Sequence, residues 1–129
     1  VVREGEDLTI VTWGAMVHVA LDAAENVSNR GIEVEVVDLR TLVPFDAETC
    51  IKSVLRTGRL ITLQESQWTG GFGHTISSRI IEESFWGLET PPVVIGALDT
   101  PVPFSPTLED HTIPSVDVVS RHIDRACAK

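Results

Sequence analysis

The stretch "ESQWTGGFGHTISSRI", Glu65 to Ile80, carries the densest candidate chemistry in the chain. Gly70, Gly71 and Gly73 lie between an apolar strand-like run and a helix-like run. A glycine-rich turn that opens a helix often cradles phosphates, because bare N–H groups and the helix dipole both attract anions. The details point away from that use here. A P-loop places a Lys and a hydroxyl residue after its last glycine, but Gly73 is followed by His74 and Thr75. A dinucleotide fingerprint needs Gly or Ala in third place and belongs to the first βα unit. "GFGHTI" ends on Ile76 and opens the third unit, with Glu65, Glu82 and Glu83 close by in sequence. The expectation is a tight turn that brings a helix close to a sheet.

Other candidates are thinner. "TWGAMVH" offers a one-glycine turn before a helix, as almost any α/β domain does. His18, His74, His111 and His122 include no pair at the i, i+4 spacing of a helical metal site, so each is expected to be a surface or packing residue. Cys50 falls in the first turn of an expected helix, where the dipole favours a thiolate. A hydrolase built on it would also need a base close in space. Asp38 and Arg40, in "DLRTL", close a strand at the end where α/β sheets hold ligands. The favoured expectation for them is a structural ion pair with a neighbouring loop. Trp13, Phe45, Trp68, Phe72 and Phe104 all follow strand ends. Two readings of these aromatics stay open: interface anchors, or rings folded back over their own core.

The elements that must position these residues alternate regularly. "LTIVTW" is apolar on both parities, as a strand buried on both faces would be. Met16, Val17, Ala20, Leu21, Ala24 and Val27 recur at helical spacing, and Asn29 to Gly31 supplies a stop. Ile32 to Leu39 reads as a strand. "DAETCIKSVLRTG" reads as a helix with Asp46 at its N-cap and Gly58 at its end. Arg59 to Glu65 is a third strand, residues 74 to 86 a helix, and "PPVVIGAL" a fourth strand. "DTPVPFSPTLEDHTIP" reads as a proline-rich loop before a last helix capped by Ser115. The spacing predicts one three-layer α/β/α domain over residues 1–129, with a mostly parallel sheet. About five strands are expected, counting Val1 to Arg3 as an antiparallel edge strand.

Composition sets outer limits. The chain has 129 residues, 43% of them hydrophobic and 22% charged, which suits a soluble domain with a real core. Ten Lys and Arg against nineteen Asp and Glu give a net charge of −9. That charge repels nucleic acid and anionic membranes. It serves solubility first and a basic protein partner second. No apolar run approaches the roughly 20 residues of a membrane span. Cys50 and Cys127 are too few for a disulfide framework and fit a reducing compartment. No signal peptide is visible. A first residue other than Met suggests a piece of a larger protein.

"DLTIVTWGAMVHVALDAAE", "VEVVDLRTLVPFD", "SVLRTGRLITLQES", "TGGFGHTISSRIIEESF" and "DTPVPFSPTLEDHTIP" follow one another as in a known family. The chain resembles, nearly end to end, the C-terminal, transketolase C-terminal-like domain of the beta subunit of thiamine-diphosphate-dependent 2-oxo acid dehydrogenases. The pyruvate, branched-chain and acetoin enzymes belong to that group. The resemblance implies no catalytic, cofactor-binding or metal residue in this piece. Thiamine diphosphate and Mg would be held elsewhere in the parent oxidoreductase. It implies an assembly role, with an alpha subunit and a second beta subunit as partners in an α2β2 tetramer. The basic subunit-binding domain of the acyltransferase core is a further partner. On this reading Trp68, Phe72, His74, Asp99, Pro101 and Phe104 are contact candidates. Gly70, Gly71, Gly73, Asp38 and Arg40 shape turns. The compartment implied is a bacterial cytoplasm, or else the mitochondrial matrix. The alternative is a self-contained module that binds a nucleotide or small acid at strand ends near Gly14, Arg40 and Gly71.

Overall fold

In the computed structural model, which describes residues 1–128, every residue of the first strand, β1 (Leu8–Thr12), is buried. This is what its two-sided apolar pattern requires of a central strand. Helix α1 (Met16–Ser28) follows, then β2 (Val34–Asp38), α2 (Ala47–Thr57), β3 (Leu60–Gln67), α3 (Phe72–Ser84), β4 (Val93–Ala97), α4 (Pro106–Thr112) and α5 (Val116–Cys127). The sheet order is β2-β1-β3-β4, and all three pairings are parallel. Each parallel return needs a crossover, which α1, α2 and α3 supply.

The two faces of the sheet are covered by different helices. Leu8, Ile10, Val34, Val36, Ile61, Leu63 and Ile95 pack with α1 and α5. Val11, Val37 and Leu60 pack with Cys50, Ile51 and Val54 of α2 and Ile76 and Ile80 of α3. Alternation along each strand divides the side chains between the two cores. Helix α2 starts where Asp46 accepts from the Thr49 N–H at 3.1 Å. It ends at Gly58, whose φ of 72° closes the last turn as a left-handed cap.

Three boundaries differ from the sequence pattern. The sheet has four strands rather than five, because Val1 to Arg3 contributes only an isolated antiparallel bridge, Arg3 to Val36. The proline-rich loop contains a helix, α4, with Pro106 in its first turn, where a missing N–H costs nothing. Helix α3 begins at Phe72 and stops at Ser84, and a 3₁₀ turn (Phe85–Gly87) absorbs its expected end.

Candidate interface at the carboxyl ends of the strands

Gln64 organises the glycine turn from below. It is fully buried in β3. Its Oε1 accepts the Gly73 N–H at 2.6 Å, and its Nε2 donates to the Gln67 carbonyl at 2.8 Å. A Cβ at Gly71 would sit 1.7 Å from Gln64 Nε2, and one at Gly73 would sit 2.5 Å from Oε1. A Cβ at Gly96, on β4, would also crowd the same amide. The glycines therefore leave room for a side chain of this protein. Gly70 serves differently: its φ of 72° reverses the chain. The N–H that a phosphate would use at Gly73 is already bonded.

In an open α/β sheet the ligand crevice lies where successive crossovers leave to opposite faces. Here that place is between β1 and β3, since α1 covers one face and α3 the other. Trp13, just past β1, and Phe72, the first residue of α3, meet there edge to face with ring centroids 6.5 Å apart. Both pack against the α2–α3 core, as does Phe45. So Trp13, Phe45 and Phe72 cap their own core.

The rim beyond them is built differently. Trp68 stays half exposed, and its indole N–H donates to the Val94 carbonyl at 3.0 Å. His74 stands edge-on to it at 4.6 Å and donates from Nε2 to the Trp68 carbonyl at 2.8 Å. Asp99 accepts from both the hydroxyl and the N–H of Thr69, the latter at 2.9 Å, tying the loop after β4 to the glycine turn. Those two bonds, the hydroxyl first, hold the Asp99 carboxyl below its ordinary range. Pro101 is exposed beside it. Leu98, Val102, Phe104 and Leu108 are all more than half exposed, and Phe104 has no cover at all. Exposed apolar side chains thus follow the Asp99–Thr69 clamp along the chain after β4.

The remaining candidates lie apart. Asp38 and Arg40 pair with each other at 2.7 Å, not with a neighbouring loop, and the Arg40 side chain remains exposed. Cys50 is fully buried in α2. Burial, aided by the Asp46 charge, pushes its thiol up to about 12, so desolvation overrides the helix dipole. His122 is held below its usual range, first by burial and then by Arg125 and Arg121. Among the described residues no group of three or more His, Cys, Asp or Glu could hold a metal ion, and no helix is long and apolar enough to cross a membrane.

Two features escaped the sequence pattern. Gln64 sits in a strand that otherwise reads as plain core, and only the glycines after it hint at a bulky neighbour. At the opposite end of α3, Phe85 and the almost fully exposed Trp86 line an apolar cavity of about 550 Å³ with Ile81, Leu88, Pro91 and Pro92.

Residues 1–119 match the family described as transketolase, C-terminal domain. The chain belongs to that family. As a transketolase C-terminal domain it is 46% identical over 115 residues to the acetoin:2,6-dichlorophenolindophenol oxidoreductase subunit beta of Cupriavidus necator, covering 89% of this chain and 34% of that one. It is 39% identical over 127 residues to the pyruvate dehydrogenase E1 component subunit beta of Rickettsia conorii, covering 98% of this chain and 39% of the relative. Among solved structures it superposes with a TM-score of 0.75 and 31% identity on a split-gene transketolase described as an inactive beta4 tetramer. That match covers 97% of this chain and 39% of the other. The transketolase C-terminal domain thus spans between a third and two fifths of the length of these relatives.

Proposed function

We propose that this chain is the assembly domain of the beta subunit of a thiamine-diphosphate-dependent 2-oxo acid dehydrogenase. One observation carries the reading. The glycine turn where a phosphate would sit is filled by the Gln64 amide, while Trp68 and, in the loop after β4, Leu98, Val102 and Phe104 are left exposed. Such a domain packs rather than reacts. The named relatives are oxidoreductase beta subunits, which supports the parent reaction: oxidative decarboxylation of a 2-oxo acid with acyl transfer to a lipoyl group.

The glycine turn, the phosphate-loop-like feature of the chain, is occupied by the Gln64 amide, which supports placing thiamine diphosphate outside this domain. The cofactor belongs, on this reading, to the rest of the parent enzyme. The partners are an alpha subunit and a second beta subunit. The net charge of −9 also suits the basic docking domain of an acyltransferase core. The compartment is read as a bacterial cytoplasm, with the mitochondrial matrix as the alternative, since a rice relative is a mitochondrial form.

Titration calorimetry of the 129-residue chain with thiamine diphosphate and Mg²⁺ tests the assignment. No binding heat is expected. Saturable binding would overturn it and favour a self-contained ligand module.

A further inference from the structure

Strand β4 ends the sheet, with β3 on one side and no strand among the described residues on the other. An open edge strand offers unpaired N–H and C=O groups to any other strand. Alternation along the backbone decides which groups face outward. The Ala97 carbonyl accepts the Trp68 N–H at 3.0 Å, so Ala97 faces β3. Ile95 shares that side, while Val94 and Gly96 face away. Pro92, just before the strand, and Leu98, just after it, continue the outward row.

Both ends of this row are closed. Pro92 has no N–H to offer. The Leu98 N–H donates to the Thr112 carbonyl at 3.0 Å, and the Leu98 carbonyl accepts the Thr100 N–H at 2.8 Å. Between them, the Val94 carbonyl accepts the Trp68 indole N–H at 3.0 Å. A side chain from the turn after β3 thus reaches the outer side of β4. Gly96 leaves room for the crossing, since a Cβ there would lie 3.0 Å from Trp68 Cα and 2.9 Å from the Ser66 carbonyl oxygen. His74 steadies the indole from the other side, edge-on at 4.6 Å and bonded to the Trp68 carbonyl at 2.8 Å. At most the Val94 N–H and the two backbone groups of Gly96 are left for another strand. Tryptophan suits this position: its ring shields the edge, and its single N–H fills an outward acceptor.

We propose that Trp68, steadied by His74, caps the β4 edge and keeps it from pairing with β4 of a second copy. The cap leaves association to side-chain surfaces and away from backbone pairing. Without the indole, the outward groups of Val94 and Gly96 form a short continuous row. Two copies related by a twofold axis then pair β4 with β4 in antiparallel fashion, each strand offering the other the same groups.

The test is sedimentation velocity together with amide hydrogen exchange on the full-length protein carrying Trp68→Ala. A concentration-dependent species larger than the wild-type assembly is expected. In it, exchange at Val94 and Gly96 should slow at least ~10-fold, because those amides become paired. Adding Val94→Lys puts a charge on the edge and should abolish the larger species. Absence of a larger species in Trp68→Ala would overturn the proposal. So would a larger species that survives Val94→Lys, or one in which Val94 and Gly96 exchange as in the wild type, because association would then run through another surface. Should Trp68→Ala fail to fold, Trp68→Phe decides. Its ring still packs on His74 but cannot bond the Val94 carbonyl, so edge pairing with slowed exchange supports the cap and its absence refutes it.

Discussion

The carboxamide of Gln64 occupies the space that a side chain at Gly71 would need, with only 1.7 Å between its Nε2 and the position of a Cβ there. The glycine-rich turn is thus one half of a fitted pair whose other half lies on β3. Its resemblance to a phosphate loop comes from a shared need for bare backbone, filled here by an amide.

Gly71→Ala should therefore destabilise the domain by about 2–3 kcal/mol, the usual scale of overpacking in a closed site. Gln64→Ala removes the obstacle, so the double variant should recover part of that loss. A double-mutant cycle by urea denaturation would read the coupling. Strict additivity would mean that the two residues do not compete for space.

Gln64→Leu tests the hydrogen bonds instead. It keeps comparable bulk but leaves the Gly73 N–H buried without its acceptor. The expected cost is about 1–3 kcal/mol. Faster hydrogen exchange should be confined to residues 67 to 74, and exchange spread evenly over the sheet would contradict the local role.

Cys50 should make the fold sensitive to alkali. Its thiol lies near 9.0 when unperturbed and is pushed up to about 12 by burial. The folded state therefore keeps a proton that the unfolded chain releases. Stability is fully present below pH 9 and falls as pH rises from there toward 12, by about 1.4 kcal/mol per pH unit. Thermal melts between pH 8 and 11 should show this slope, and Cys50→Ala should flatten it. The same burial predicts that thiol reagents label Cys50 only after denaturation.

Asp99 should have the opposite sign. Its carboxyl is held below the ordinary range by Thr69, so its clamp contributes fully above that range and is lost only as pH falls below it, through the lowered folded value. Because the group is exposed, the effect should be local. Asp99→Asn is expected to loosen the loop from Leu98 to Ser105, read by hydrogen exchange, without moving Tm. A large drop in Tm would mean that the clamp supports the core.

Phe104 should matter only to association. With its ring wholly exposed, Phe104→Ala should leave Tm within the ~0.5 kcal/mol spread of surface substitutions. Subunit assembly of the full-length protein, followed by sedimentation, should weaken. Assembly unchanged in the combined Trp68→Ala/Phe104→Ala variant would remove this strip from the interface.

Much of this was legible in the chain. Buried strands announce themselves through apolar residues on both parities, as Leu8 to Val11 do. Caps such as Asp46 and Gly58 are local chemistry between residues a few positions apart. The run of segments from "DLTIVTWG" to "DTPVPF" also points to the family, and the match over residues 1–119 agrees. The edge strand at Val1 to Arg3 did not form, since a single isolated bridge, Arg3 to Val36, does not make a ladder. Helix α4 was hidden because its prolines read as breakers when one of them is a helix start.

What the sequence determined by itself was the alternation of elements, and with it a parallel sheet between two layers of helices, because periodicity and capping are short-range properties. Only the tertiary structure decided which side chain fills which space. Gln64 lies nine residues from Gly73, Trp13 lies far from Phe72, and Arg56 lies far from Gly5. Such pairs carry no periodic signal. They exist only once crossovers have set strand beside strand, and close packing then leaves room for one arrangement.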